Sequence, residues 1–148
     1  MAYASTGTFS KLVVEVEWVA GSGVYSRWCG ITSRGINRQH NMSTTPVPDC
    51  DNEDLPAQIE RSVESSEVTI SGSGVWSTQS HGETLDWWYS GQTKNVRVQH
   101  VNAPSGTTEY ESGAAYLVSL SNTVERGQKI QSELSIEFDG IPTRTNKA

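Results

Sequence analysis

This chain has only two cysteines, three histidines and two phenylalanines. It also has no apolar run approaching the ~18 residues of a membrane-crossing helix, so no membrane insertion is expected. Cys29 and Cys50 are too few for a disulfide-stapled scaffold and are expected to be reduced thiols. His40, His81 and His100 lack the H-x-x-x-H spacing of a zinc site and read as surface or half-buried side chains. The opening MAYASTGTFSKLVVEVEW has no charged stretch followed by an apolar one. No signal peptide is therefore expected, and the product should stay in the cytoplasm or leave by lysis or dedicated machinery. Cations are scarce, 11 Lys and Arg against 17 Asp and Glu, for a net charge of −6. That balance disfavours a general nucleic-acid binder, which needs a basic face to release counterions. No serine sits in G-x-S-x-G or S-x-x-K, and Gly72-Ser73-Gly74 lacks the Gly-Lys-Ser/Thr that completes a phosphate loop. With no nucleophile–base pair, neither an enzyme nor a cofactor is expected.

What is present points to β structure. Only 34% of residues are hydrophobic and the mean hydropathy is −0.50, low for a self-sufficient globule. Thirteen glycines among many Ser, Thr and Asn suit a turn-rich β protein. The 148 residues are read as one domain, with polar arms at 1–10 and 141–148. Lys11 to Val19 alternates, with Leu12, Val14, Val16 and Trp18 on one face and Lys11, Glu15 and Glu17 on the other. Gly21-Ser22-Gly23 turns into a second candidate strand, Val24 to Thr32, and Arg34 to His40 is a weaker continuation. Periodicity disappears over 41–56, NMSTTPVPDCDNEDLP, which reads as a long irregular loop. Gln58 to Glu64 is ambiguous, and Ser66 to Trp76 resumes as a strand in which Gly72 and Gly74 mark a bulge or a close backbone approach. One helix is expected from His81 to Gly91, capped by Ser80 with Glu83 as capping-box partner and stopped by Gly91. Its apolar face is assigned to Leu85, Trp88 and Tyr89. Lys94 to Val101 is a further strand.

The clearest pattern closes the chain. From Gly113 to Gly140 two period-2 runs flank Glu125-Arg126-Gly127, whose glycine permits the reversal of a hairpin. In the second run Ile130, Ser132, Leu134, Ile136 and Phe138 share one face, and Glu133, Glu137 and Asp139 the other. In the first, Tyr116, Val118, Leu120 and Val124 oppose Ala115, Leu117, Ser119 and Ser121. The expected fold is mainly β, a β-sandwich or partly closed barrel with one short flanking helix.

Two further groups invite a chemical reading. Asp49, Asp51, Glu53 and Glu60 fall at positions 1, 3, 5 and 12 of a calcium loop. Asp54 stands where that loop needs glycine, Pro56 stiffens the middle and no helices flank it, so a solvated acidic loop is the reading and no metal is expected. Five tryptophans, at 18, 28, 76, 87 and 88, could offer a sugar platform. Core and subunit interface account for them more simply.

The order of strand, hairpin, long loop, strand, short helix, strand and closing hairpin resembles the major tail tube proteins of long-tailed bacteriophages. That group includes the tube proteins of gene transfer agents. The resemblance runs from about Lys11 to Gly140 and is most specific at Val68-Thr69-Ile70-Ser71-Gly72-Ser73-Gly74-Val75-Trp76 and at Ser132-Glu133-Leu134-Ser135-Ile136-Glu137-Phe138-Asp139-Gly140. It implies a subunit of hexameric rings that stack into a hollow tail tube, assembled in the host cytoplasm and carried in the virion. The lumen would hold DNA and the tape-measure protein without specific binding, and the tube ends would meet tail terminator and distal tail proteins. On that expectation Glu15, Glu17, Glu133, Glu137 and Asp139 are candidates to line the lumen; the alternative places this acidic face on the outside. Asp49, Asp51, Glu53 and Asp54 are candidates for contact between subunits. A secreted or surface β-sandwich binding module, an enzyme on a jelly-roll scaffold and a secretion-system tube protein remain the alternatives.

Overall fold

The computed structural model describes residues 3–148, so Met1 and Ala2 of the N-terminal arm lie outside the described residues. After a single 3₁₀ turn, Phe9–Lys11, come β1 (Leu12–Val16), β2 (Ser26–Arg27), β3 (Ile31–Val47) and β4 (Gln58–Val75). Then follow α1 (His81–Ser90), β5 (Lys94–His100), β6 (Thr108–Thr123), β7 (Gln131–Phe138) and β8 (Thr143–Asn146). All strands belong to one antiparallel sheet in the order β2-β1-β5-β6-β7-β4-β3, with β8 paired to β6. The sheet curls without closing into a barrel. Its two ends meet through side chains: Arg34 of β3 donates from Nε to the carbonyl of Leu12 and from Nη2 to that of Phe9 at 2.7 Å.

The curl encloses the core. Val16, Ile70, Val96, Val98 and Ile136 are sealed from water, and Leu12, Val14, Ile31 and Ile36 from the two meeting ends pack against them. Each such side chain contributes about 1.5–3 kcal/mol by leaving water. The alternation read in β7 is realised over Ser132–Phe138, where Ser132, Leu134, Ile136 and Phe138 are buried while Glu133 and Glu137 are exposed. Ile130 lies before the strand and is exposed, not core. In β6 the assignment of faces is reversed: Ala115 and Leu117 point inward, and Tyr116 and Val118 outward. A bulge between Leu117 and Ser119 then shifts the register and returns Leu120 to the core side. One extra residue flips the phase of everything beyond it, which is why simple period-2 counting fails here.

Residues 41–47, residues 58–64 and the C-terminal arm are more regular than their sequences suggest. The irregular stretch is 48–57, not 41–56, because β3 continues to Val47 and β4 begins at Gln58. Pro46 is tolerated because β3 is an edge strand whose second side has no ladder. The C-terminal arm is not free: β8 pairs with β6 through Ser112–Thr143 and Glu111–Arg144. By contrast, the strand expected over Val24 to Thr32 shrinks to the two residues of β2, followed by a glycine turn at Gly30 (φ 85°).

The helix stands where the sequence places it but is rotated. Trp87 and Thr84 are the buried pair, and Trp88 and Tyr89 are 43% and 77% exposed. Trp87 meets Trp18 edge-on at 6.1 Å and Trp28 at 5.9 Å, so three indoles form one cluster that sets the rotation. The expected cap is also absent: the Ser80 side chain makes no cap bond, while its carbonyl accepts from Thr84 N–H at 2.9 Å. Gly91 does end the helix in the left-handed region (φ 64°), donating to the Trp88 carbonyl at 3.3 Å.

Candidate functional site

The outer face of β4, β7 and β6 is assembled row by row. Thr69, Glu137 and Tyr116 lie side by side, then Ser71, Ser135 and Ser119, then Ser73, Glu133 and Ser121. Across residues 69–75, 108–123 and 131–138 there is no lysine or arginine. These three rows form a hydroxyl-rich surface whose charges are those of Glu133 and Glu137. Asp139 is exposed just beyond β7, its main-chain N–H donating to the Ala114 carbonyl at 2.8 Å.

Glu15 and Glu17 stand apart from this face. Both are buried and satisfied within the subunit. Glu15 accepts from Arg97 Nη2 at 2.8 Å, and that guanidinium lies 4.4 Å from the Tyr25 ring and 5.1 Å from the Tyr110 ring. Glu17 organises the following turn, accepting from the N–H groups of Gly21 (3.0 Å) and Gly23 (3.2 Å) and from Asn95 Nδ2 (3.3 Å). Burial, reinforced by the Glu17 charge, raises the Tyr25 pKa against the opposing pull of Arg97. These two acids build the subunit; they do not supply free surface charge.

Asp49, Asp51, Glu53 and Asp54 sit at the tip of the β3–β4 hairpin, all exposed. Asp49 Oδ1 accepts from the N–H groups of Asp51 (2.8 Å) and Asn52 (3.1 Å), and Asn52 Oδ1 from that of Asp54 (3.1 Å). These side-chain turns order the tip. Among the described residues no group of three or more His, Cys, Asp or Glu could hold a metal ion. The histidines are dispersed, with His81 bonded to Trp76 Nε1 at 2.9 Å and His40 to Ser66 at 2.6 Å. Among the described residues no helix is long and apolar enough to cross a membrane.

Sequence reading missed Glu111. It is buried at the curl, accepting from Nε and Nη2 of Arg38 and bonded with His100 Nε2 at 3.2 Å. Burial pushes its carboxyl up, but the hydrogen bonds and charges of Arg38 and His100 outweigh this and hold it below the ordinary carboxylate value. The signal was available in its phase, since Glu111 shares the odd positions of buried Ala115 and Leu117.

The family model for phage tail tube proteins matches residues 6–144. The chain belongs to the phage tail tube protein family. Tail tube proteins are structural, so the role is that of a tube subunit in a particle's tail and not of an enzyme. The fold agrees. A subunit from the tail of an empty gene transfer agent particle with C6 symmetry is 16% identical with a TM-score of 0.74, covering 95% of this chain and 99% of that one. One from the virion of a native gene transfer agent particle is 13% identical with a TM-score of 0.70 and the same coverage. The SPP1 tail tube protein is 10% identical with a TM-score of 0.67, covering 95% of this chain and 79% of that one. Among curated proteins no sequence matches this chain.

Proposed function

We propose that six copies of this tail tube protein close into a ring and that the rings stack into a conduit for DNA. In this reading the outer face of β4, β7 and β6 lines the lumen. The observation that carries it is the cation-free surface around Glu133 and Glu137. Phosphate contacts by Lys or Arg produce strong, salt-dependent binding, which would brake a moving duplex. Carboxylates among hydroxyls instead keep the wall wet and repel the phosphate backbone. Asp139 extends this lining, whereas Glu15 and Glu17 lie outside it because they are already neutralised or bonded within the subunit. The C6 symmetry of the gene transfer agent tail, built on a similar subunit, supports six copies per ring. The tape-measure protein in the lumen, terminator and distal proteins at the tube ends, and assembly in the host cytoplasm complete the proposal.

The test is charge reversal. Tubes carrying Glu133→Lys and Glu137→Lys together should retain double-stranded DNA at low salt, release it steeply as salt rises, and slow ejection from assembled particles. Normal ejection with no DNA retention by intact variant tubes removes these residues from the lumen.

A further inference from the structure

Beyond Val68 the β3–β4 hairpin leaves the rest of the sheet as a two-stranded arm, since β4 pairs with β7 only over Thr69–Val75. Farther out the arm carries uncovered apolar side chains, with Met42, Ile59 and Val63 exposed. Between them and the core, at the root of the arm, lies a polar cluster instead. Arg38 pairs with Val68 and His40 with Ser66, so strand alternation places Arg38 and His40 on the side of buried Val68. Across the curl, Glu111 of β6 pairs with buried Val98 on one side and with Arg144 of β8 on the other, which brings Arg144 to the same side. A pocket of about 440 Å³ opens there, lined by Arg38, His40, Ser66, Glu111 and Arg144, with Val68 and Ile141 as apolar walls. That size is ordinary for a small-molecule site. Glu67 stands at the rim, where the same alternation turns its carboxylate to the reverse side of the arm.

The charges in this pocket do not balance. The chain has 17 Asp and Glu against 11 Lys and Arg, yet here one carboxylate meets two guanidiniums and the imidazoles of His40 and His100. Both oxygens of Glu111 are engaged, by Nε and Nη2 of Arg38 and by His100 Nε2. Arg144, directly opposite Glu111 in the ladder, makes no ion pair among the described residues. Arg38 spends Nε and Nη2 on Glu111 and keeps Nη1. His40 is held through Nδ1 by Ser66 Oγ at 2.6 Å. With that hydroxyl donating to Nδ1, the ring proton sits on Nε2 and makes it a donor.

We propose that this pocket binds a small oxyanion of the phosphate class, held by Arg38 Nη1, the Arg144 guanidinium and His40 Nε2. Guanidinium forks match the oxygens of phosphate, and charge-assisted bonds of this kind are the strong ones. The bound anion ties β8 to the root of the arm, two parts that no ladder joins. The apolar wall of Val68 and Ile141 gives room for a short organic group, so free phosphate and a phosphate monoester share this chemistry. Nothing in the site depends on assembly into tubes.

Calorimetric titration at fixed ionic strength tests it, with inorganic phosphate and adenosine monophosphate as probes and chloride as the control. Phosphate should bind at one site per chain and raise the thermal midpoint, whereas chloride should do neither. Arg144→Gln and His40→Gln should each weaken phosphate about tenfold. Arg126→Gln, on the distant β6–β7 turn, makes the same change of net charge as Arg144→Gln and should leave binding unchanged. Arg38 is kept, because its loss would strand the Glu111 carboxylate. Tighter binding of the monophosphate assigns the organic ligand, and equal or weaker binding assigns the free ion. No saturable phosphate binding, an equal response to chloride, or equal weakening by Arg126→Gln overturns the site.

Discussion

At the residue scale, Glu111 joins three strands through one carboxylate: its own β6, β3 by way of Arg38, and β5 by way of His100. Its lowered pKa has a definite consequence for acid stability. A carboxylate held below its unfolded value contributes stability that is fully present above that value and lost as pH falls through the folded one. Glu111→Gln should therefore cost about 1–2 kcal/mol at pH 7, the lower part of the scale for hydrogen bonds to charged groups, because the half-exposed Arg38 is screened by water. The gap between variant and parent should narrow below about pH 4.3, where the unfolded carboxyl protonates. Urea unfolding across that range measures it, and a gap that widens in acid contradicts the assignment. Gly74 is the second position where one atom decides. A Cβ there would fall 2.1 Å from the Gly30 carbonyl oxygen and 2.7 Å from Thr32 N. Gly74→Ala must push two strands apart and should cost at least roughly 1–3 kcal/mol in thermal or urea unfolding. The close approach was legible in the sequence, because glycine within a strand pattern has few other uses. The Arg38–Glu111 contact was not, because no local period connects residues so far apart in the chain.

At the element scale, strand and helix existence was readable wherever one face is wet and the other packed, as in β7. It failed where tertiary structure overrode the local signal. The single residue inserted in β6 after Leu117 put Leu120 out of phase with Tyr116 and Val118, and the tryptophan cluster turned α1 onto Trp87. The arm was hidden for a different reason: a two-stranded ribbon with no opposing layer needs no continuous apolar run, so its sequence looks like loop. That same lack of a layer predicts what the arm does for the subunit, which is little. Replacing residues 42–64 by Asn-Gly leaves the Asn41–Ser65 pair joined by a tight hairpin turn. The shortened chain should unfold cooperatively within about 1 kcal/mol of the parent, yet sediment as subunits or rings and never as tubes. A large loss of subunit stability would show instead that the arm belongs to the core.

At the scale of the whole molecule, the low apolar content and the uncovered patches describe a subunit completed by its neighbours. Mass action then requires the thermal midpoint to rise with protein concentration as tubes form. Calorimetry over a hundredfold dilution checks this, and a constant midpoint rules out the linkage. The overall architecture was legible because alternation, turns and one helix stopped by Gly91 leave few arrangements. How the curl is held was not, since it depends on Arg34 and Arg38 reaching across from β3 to Leu12 and Glu111. That seam has a mechanical meaning. Along the ladders, stretching the subunit breaks rows of main-chain hydrogen bonds together. Across the seam it strains apolar contacts that can slide and long, jointed side chains that can lengthen and re-form. Each subunit is thus stiff in one direction and compliant in another, a combination that lets a wall bend while its bore stays open.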